Sequence, residues 1–256
     1  MDSRRGILNA DDPLVAKMAN FTVAKTFLFG EKAQNGIKIS HFKQNIDGSS
    51  FRIHYNGAQA AVSWKIVGKA HLTSAYAAAS VGILSSMTVK QIAKGLSQTK
   101  QPEHRLQVIK KADLTLIDDT YNSSPRAALE SVKTLIDLSK NKYKVALIGQ
   151  MRDLGDISTK EHQSLGRKIA KTRINLLLTL GATAKVIGES AKKAGFRGKI
   201  KNFATVGQAL KYLNNLETSK AVILLKASRH EHLERVVAGL QAKSTAIYCF
   251  HCGNLS

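Results

Sequence analysis

The sequence predicts an α/β protein whose C-terminal half forms a doubly wound, mostly parallel sheet, preceded by a smaller domain of different texture. Two observations favour this fold class. From Leu106 onward, short apolar runs alternate with amphipathic helical patterns, as in successive βαβ units. Between about Gly30 and Val67, shorter alternating runs are separated by turn residues, which is typical of hairpins. The change in pattern predicts a domain boundary near Gln101-Pro102-Glu103.

The predicted strands of the C-terminal half are short apolar runs, each followed by a helical pattern. They are Leu114–Ile117, Val145–Ile148, Leu176–Leu180, Ile200–Phe203 and Ala221–Leu225. The predicted helices begin near Pro125, Ser158, Ala184, Val206 and His230. Ser124 is predicted to be the N-cap of the first of these helices, because it precedes a proline that suits the first helical position.

The N-terminal half contains turn and helix signals. Asn56-Gly57, between two alternating segments, predicts a two-residue hairpin turn. An Ala-rich helix is expected over His71–Leu84, and a second helix over Val89–Leu96 with Thr88 as its N-cap. Asn9-Ala10-Asp11-Asp12-Pro13 follows a short apolar pair and is turn-forming by its chemistry alone.

Composition limits the function classes. Lys and Arg total 39 against 18 Asp and Glu, giving a formal net charge of +21. These charges are spread over helix faces and aromatic residues are sparse, so the pattern does not favour a nucleic-acid binder; an anionic substrate explains the charge about as well. No apolar run is long enough to cross a bilayer and no signal peptide is recognised, so we expect a cytoplasmic protein without membrane insertion.

The cysteines are Cys249 and Cys252, close to the end of the sequence. A single C-x-x-C motif is compatible with half of a zinc site or with a redox pair. The second half of a zinc site is missing from the sequence, and the motif does not open a βαβ unit. Two free thiols are therefore the favoured interpretation.

Polar residues recur where three predicted strands end. Asp118 and Asp119 follow the first strand, the segment Gly149–Gly155 follows the second, and Lys226–Arg229 follows the last. Ligands of open α/β sheets bind at the carboxyl ends of strands, which predicts one binding site on a single rim. The alternative is that these loops are polar because they face water. Three such loops together favour the binding site.

The residue types in these loops indicate binding of an anion. Lys226 and Arg229 supply donors suited to a carboxylate or a phosphate. Asp118 has the alternative role of capping a turn. His230 and His232 lie two positions apart and do not share a helix face, so no metal site is predicted there. The sequence contains neither an H-E-x-x-H motif nor a G-x-S-x-G nucleophile elbow.

Seven segments, in order between about Ile7 and Leu240, resemble motifs of the Mur ligases, the enzymes that build the peptide of peptidoglycan. Asp118 to Pro125 resembles D-D-S-Y-N-A-N-P, and Lys226 to Arg229 resembles K-G-S-R. The remaining five segments are Asn9–Pro13, Asp47–Phe51, Gly68–Ala78, Glu103–Leu106 and Gly149–Gly155 with His162. The D-D-x-Y-N form is similar to that of the members that add D-alanyl-D-alanine.

The resemblance implies a domain organisation. Residues 1–102 would be part of the central ATP-binding domain of a Mur ligase. Residues 103–240 would be its C-terminal Rossmann-like domain, and residues 241–256 would be an unassigned tail. The family reaction is an ATP-driven amide ligation through an acyl phosphate, with Mg²⁺ as cofactor. Its substrates would be UDP-N-acetylmuramoyl-tripeptide and D-Ala-D-Ala.

By the same resemblance, roles fall on individual residues. Lys226 and Arg105 would be catalytic. Nucleotide binding would involve Asn9, His71, Ser74, Arg105 and Asp119, with Asp119 at the ribose. The incoming dipeptide or the reacting centre would face Asp118, Tyr121, Asn122, Lys226, Ser228 and Arg229.

The sequence departs from the family pattern in several places. Ser74 stands where the family often has Asn, and Ala227 replaces the glycine of K-G-S-R. No G-x-x-x-x-G-K-[ST] phosphate loop occurs, and the metal ligands of the family would lie before Met1. The sequence therefore leaves three alternatives open. They are an inactive fragment, a binding subunit that needs a separate phosphate-loop-bearing fragment, and a related Mur or folylpolyglutamate-type ligase.

Overall fold

The computed structural model describes residues 5–34, 36–111, 114–216 and 220–241. The chain divides into two compact units, residues 1–100 and 101–256, each with its own hydrophobic core. Within the described ranges, no helix has both the length and the apolar character needed to cross a membrane. Cys249 and Cys252 lie outside the described residues.

The first unit combines a parallel strand pair with an antiparallel sheet and two longer helices. Its elements in chain order are β1 (Arg5–Asn9), α1 (Pro13–Lys17), β2 (Lys25–Phe29), β3 (Lys38–Asn45), β4 (Gly48–Tyr55), β5 (Ala58–Trp64), α2 (Leu72–Leu84) and α3 (Val89–Ser97). β1 and β2 pair in parallel, and β3, β4 and β5 form an antiparallel meander.

Local sequence chemistry explains the turns of this unit. Asn56 and Gly57 both have positive φ, 45° and 78°, as a two-residue type I′ turn requires, so the predicted hairpin is confirmed. Thr88 caps α3 in a capping box with Gln91, which confirms the predicted N-cap. Asp12 accepts hydrogen bonds from the first turn of α1, so the N-A-D-D-P segment ends β1 and starts a helix.

The second unit is a doubly wound α/β domain. Its elements are β6 (Gln107–Lys111), β7 (Leu114–Asp119), α4 (Pro125–Ser139), β8 (Tyr143–Ile148), α5 (Ser158–Ala170), β9 (Leu176–Leu180), α6 (Ala182–Lys193), β10 (Lys199–Phe203), α7 (Val206–Asn214), β11 (Ala221–Lys226) and α8 (Leu233–Leu240). In the described ranges the strand order is β10-β9-β8-β11-β7-β6. Among the strands that the structure describes in this sheet, β6 and β7 pair antiparallel and the other neighbours pair in parallel.

The predicted fold class is confirmed by this sheet. Every residue of β9 and β11 is buried, as expected when helices cover both faces of a parallel sheet. An uninterrupted apolar run without alternation is the sequence pattern of such a strand, and these runs were the ones that predicted the sheet.

Three details differ from the prediction. Helix α8 begins at Leu233 and not near His230, because residues Arg229–Glu231 form a 3₁₀ turn and His232 adopts a left-handed conformation with φ of 52°. Ser124 occupies the N-cap position of α4, but its side chain makes no capping hydrogen bond. Strands β2 and β6 were not predicted.

Candidate functional site

The site lies at the carboxyl ends of three adjacent strands in the second unit. β11 lies between β8 and β7, and Lys226, its last residue, is in register with Asp119 on one side and Ile148 on the other. The loops that follow β7, β8 and β11 therefore begin next to one another. The sequence prediction that they share one rim is confirmed by this register.

Lys226 and Asp119 form a buried ion pair beneath this rim. The Lys226 ammonium lies 3.0 Å from Asp119 Oδ2, and the lysine side chain is only 2% exposed. Lys226 Nζ also donates to the carbonyl oxygens of Asp119 and Asn122. Asp119 in turn accepts from the backbone N–H of Leu106 and from the hydroxyl of Ser131. The pair thus joins β7, β11 and α4.

This environment changes the proton affinity of the lysine. Burial lowers the pKa of Lys226, and the neighbouring Asp119 carboxylate opposes that shift. The three oxygen acceptors match the three protons of the ammonium group. In this conformation Lys226 holds the start of the loop after β7 in place and is not presented to a ligand.

Asp118 lies on the same strand and is also buried, at 1% exposure. Its Oδ1 accepts from the backbone N–H and the hydroxyl of Thr120, so it does cap the turn, as the alternative interpretation proposed. Its Oδ2 lies 2.7 Å from Nδ1 of His104. The hydrogen bond to Asp118 is the main reason that the pKa of His104 is raised above its ordinary value.

The turn before β6 brings Arg105 to the rim, where it shares the ring of Tyr121 with Arg229 from the loop after β11. His104 and Leu106 both have positive φ, 56° and 55°, a conformation that is uncommon for residues with side chains. The Arg105 guanidinium lies over the ring of Tyr121 at 4.1 Å, and the Arg229 guanidinium lies 5.9 Å from the same ring. Both distances are within the range of cation–π attraction.

A cavity of about 640 Å³ opens at this place. The lining residues that the sequence predicted as substrate-binding are Tyr121, Asn122, Ser228 and Arg229. Asp118 and Lys226, which were predicted for the same role, do not line it and lie buried below. Ser228 is fixed by its hydroxyl, which accepts from the backbone N–H of Arg152.

Sequence reasoning assigned no role to several residues of this cavity. Glu103, His104, Arg152, Asp153 and His230 also line it. Glu231, close by, has a pKa that is raised by burial, an effect that Arg152 and His232 oppose. Their positions at strand ends and within the motif-like segments Glu103–Leu106 and Gly149–Gly155 gave the available signal, because their contacts depend on how distant loops meet.

A second cavity, of about 550 Å³, lies against β10 and α7. Its lining includes Lys201, Phe203 and Tyr212, and the Lys201 ammonium lies 4.4 Å from the centre of the Tyr212 ring. None of the residues predicted as functional lines this cavity, so the rim cavity remains the candidate site.

The predicted nucleotide-binding residues of the first unit occupy separate local environments. Asn9 ends β1, and its side-chain oxygen accepts from the backbone N–H of Asp11. His71 precedes α2 with its ring edge-on to Trp64, and Ser74 is exposed on the first turn of that helix. Across the described ranges, no group of three or more His, Cys, Asp or Glu side chains is placed to hold a metal ion.

Comparisons with known proteins show which family and which relatives the chain resembles. Residues 104–229, which include the lining residues of the rim cavity except Glu103 and His230, match the family "Mur ligase, glutamate ligase domain". A UDP-N-acetylmuramoyl-tripeptide–D-alanyl-D-alanine ligase of Buchnera aphidicola is 30% identical over 86% of the chain and 47% of the relative. The Bacillus subtilis enzyme of the same name is 28% identical over 90% of the chain and 50% of the relative.

Solved structures give the same picture. A crystal structure of MurF from Acinetobacter baumannii superposes with a TM-score of 0.84 at 27% identity, covering 95% of the chain and 52% of that protein. The chain therefore spans about half the length of the relatives that it matches.

Proposed function

This chain belongs to the Mur ligase family, and from that premise we propose that it is the C-terminal portion of an ATP-dependent amide ligase of peptidoglycan synthesis. The proposed reaction joins D-Ala-D-Ala to UDP-N-acetylmuramoyl-tripeptide. The observation that carries the proposal is the rim cavity, where the loops after β7, β8 and β11 meet within the segment that matches the family. The names of the relatives support the choice of substrates.

The cavity has the charges that a zwitterionic dipeptide needs. Arg152 and Arg229 supply guanidinium groups, which bind carboxylates with two parallel hydrogen bonds. Glu103 and Asp153, which also line the cavity, supply carboxylates suited to an ammonium group. Tyr121 offers an aromatic surface that is already held by Arg105. We place D-Ala-D-Ala in this cavity with its carboxylate on Arg229.

The proposed chemistry has two steps. An oxygen of the tripeptide carboxylate attacks the γ-phosphorus of ATP, ADP leaves, and an acyl phosphate forms. The dipeptide nitrogen then attacks the acyl carbon, and phosphate leaves as the amide bond forms. Such a reaction depends on positioning and charge neutralisation more than on a protein nucleophile. Arg105 is the residue that we assign to the nucleotide phosphates. The ribose contact that the resemblance implies for Asp119 stays a prediction, because this carboxylate is buried and paired with Lys226.

The described residues provide no cluster of metal ligands, and no step is assigned to Mg²⁺. The sequence also lacks a G-x-x-x-x-G-K-[ST] loop, whose backbone N–H groups and lysine would hold the β- and γ-phosphates. We therefore propose that ATP chemistry requires a phosphate loop that these 256 residues do not supply. Both substrates are water-soluble, which is consistent with the predicted cytoplasmic location.

An assay with two arms tests the proposal. The chain is supplied with ATP, UDP-N-acetylmuramoyl-tripeptide and D-Ala-D-Ala, first alone and then with the N-terminal half of the Bacillus subtilis relative, which carries the phosphate loop in this family. We expect phosphate release and amide product only in the second arm, and only when the dipeptide is present. A folded chain that gives no product in either arm would contradict the proposal.

Two variants, measured in the same assay, test whether D-Ala-D-Ala binds in this cavity. Arg229→Ala removes a charged hydrogen-bond donor, which is worth about 1.5–3 kcal/mol, so the KM for D-Ala-D-Ala should rise by roughly 10- to 100-fold. Arg197→Ala, at an exposed position before β10, is the matched control and should leave that KM unchanged. Equal KM values for the two variants would remove the dipeptide from this cavity.

A further inference from the structure

His104 lines the cavity and has no role in the proposed function so far. The proposed function requires that the dipeptide lose a proton before its nitrogen can attack. Resting on that function, we propose that His104 is the general base that receives this proton, with Asp118 as the residue that orients it. The proposal assigns a catalytic role to His104 and a positioning role to Asp118.

The hydrogen bond to Asp118 decides which ring nitrogen faces the ligand. Asp118 Oδ2 lies 2.7 Å from Nδ1 of His104, and an ionised carboxylate can only accept. In the neutral imidazole, Nδ1 therefore carries the proton and Nε2 carries the lone pair. Among the described residues, Nε2 makes no hydrogen bond. His104 is 29% exposed and lines the cavity, whereas Asp118 is buried. A basic nitrogen thus remains available at the cavity.

The backbone holds the ring in this orientation. His104 has φ of 56°, and its carbonyl oxygen accepts from the N–H of Tyr121 at 3.1 Å. Its own N–H donates to the side chain of Gln107 at 3.3 Å. Left-handed conformations of residues with side chains cost free energy and concentrate at functional sites. The tether to Tyr121 also fixes His104 beside the aromatic surface on which we place the dipeptide.

The charges around His104 set its basicity. The Asp118 carboxylate raises the pKa of His104, burial and the Arg229 guanidinium lower it, and Glu103 on the same segment raises it again. Arg152, Asp153 and His230 line the same cavity from the loops after β8 and β11. The result is a stronger base than an ordinary histidine, and general bases are most effective when their pKa is close to the working pH.

In the proposed step, the dipeptide nitrogen loses two protons as it replaces phosphate at the acyl carbon. The ammonium group of D-Ala-D-Ala gives one proton to Nε2, which becomes an imidazolium stabilised by Asp118. The freed lone pair forms the C–N bond at the acyl carbon of the acyl phosphate. The C–O bond to phosphate then breaks, and phosphate leaves with that electron pair. The second proton of the attacking nitrogen goes to the departing phosphate. A carboxylate behind a histidine performs the same orienting role in hydrolytic triads.

Binding of D-Ala-D-Ala to the full chain provides the first test. Calorimetry from pH 5.5 to 9 measures the affinity, and NMR follows the His104 ring through the same titration. In the proposed complex, the dipeptide amino group and His104 hold one ionisable proton between them. The free ammonium form and protonated His104 together hold two. Below the pKa of His104, affinity should therefore fall about tenfold for each pH unit, which is 1.36 kcal/mol. The ammonium group of the dipeptide titrates at about 8, and its effect is common to all variants.

Three variants test whether His104 acts as a base or has a structural role only. His104→Gln keeps a polar side chain next to Asp118 but cannot take up a proton, so the acid-side loss of affinity should disappear. Asp118→Asn should move both the His104 titration and the loss of affinity to lower pH. His54→Gln, in the first unit, is the matched control and should behave as the unmodified chain. Amide spectra of each variant report whether it is folded.

The outcomes are distinguishable. If the dipeptide binds and His104→Gln keeps the same pH dependence, the base assignment is overturned while the proposed function stands. If the dipeptide does not bind at any pH, the cavity assignment itself fails, and the base with it. In the two-component ligation assay, kcat of folded His104→Gln should fall by roughly 100-fold or more. An unchanged kcat would also overturn the proposal.

Discussion

Lys226 and Asp119 are 107 positions apart in the sequence, yet they lie side by side on neighbouring strands. The resemblance to Mur ligase motifs predicted that Lys226 is catalytic and that Asp119 contacts a ribose. It could not predict that they pair, because pairing depends on the register of β7 against β11. Their geometry adds a structural role: the pair fixes the first residues of the loop that carries Tyr121 and Asn122.

This role predicts the effect of Lys226→Met. The substitution keeps most of the side-chain volume but leaves the Asp119 carboxylate buried without its cation. Removing one partner of a buried ion pair typically costs about 3–5 kcal/mol. We expect the free energy of unfolding of the second unit to fall by about 3 kcal/mol, measured by urea denaturation at pH 7.

A double variant provides the control for this prediction. Asp119→Asn combined with Lys226→Met removes both charges, and the asparagine can still accept from Leu106 and donate to Ser131. The double variant should regain most of the lost free energy, since replacing both partners of a buried pair is often close to neutral. If Lys226→Met alone leaves stability unchanged, the lysine does not hold the loop.

At the scale of elements, the outcome of the sequence prediction depends on burial. The continuous apolar runs of β8, β9 and β11 identified strands to within about two residues, because both faces of these strands are buried. β2 and β6 have the sequences Lys-Thr-Phe-Leu-Phe and Gln-Val-Ile-Lys-Lys, so each contains only two or three consecutive apolar residues. β6 forms an edge of its sheet, where lysines are common.

Helix packing depends on a glycine whose role the sequence does not reveal. Gly166 lies in the middle of α5, where a glycine costs about 1 kcal/mol relative to alanine. A Cβ at this position would collide with the carbonyl oxygen of Ile187 and would come within 2.9 Å of Ser190 Cβ, both on α6. The glycine therefore allows α5 and α6 to approach backbone to backbone.

Gly166→Ala should consequently destabilise the second unit despite its better helix propensity. Backbone atoms cannot move aside as a flexible side chain can, so we expect a loss of about 1–3 kcal/mol in the free energy of unfolding. Gly207→Ala in α7 is the matched control, because its added Cβ meets no atom within 4 Å apart from its chain neighbours and its own helix backbone. The control should be neutral or slightly stabilising. Stabilisation by Gly166→Ala would show that the two helices can separate without cost.

At the scale of the whole molecule, the sequence predicted the sheet and the loops that form the rim, but not the contacts that the side chains of the site make with one another. Strand ends predicted which loops meet, since parallel strands share one edge. The sequence pattern did not predict that Asp118 lies behind His104, or that Arg152 joins Arg229 in one cavity. Those contacts follow from strand order, in which β11 inserts between β8 and β7.

The two units also differ in how completely they bury their sheets. β9 and β11 are buried at every position, whereas β1 has no buried residue and β2 has only Phe29. The large apolar side chains of Leu14, Met18, Phe21, Val23 and Leu28 are exposed next to this strand pair. A parallel pair with little burial has few contacts to lose when it opens, so its local stability should be low.

Native-state hydrogen exchange measures this difference directly. Amides of β8 and β11 should exchange only through unfolding of the whole second unit. Amides of β1 and β2 should exchange at least about 100-fold faster, equivalent to roughly 2.7 kcal/mol less protection. The strand β4, central in its sheet and with Phe51 and Ile53 buried, is the internal comparison and should be better protected than β1. Equal protection of β1 and β4 would mean that the first unit opens as one cooperative body.

Addition of the phosphate-loop-bearing half provides a separate measurement. If that half binds at the strand pair of β1 and β2, it should slow exchange selectively in these two strands.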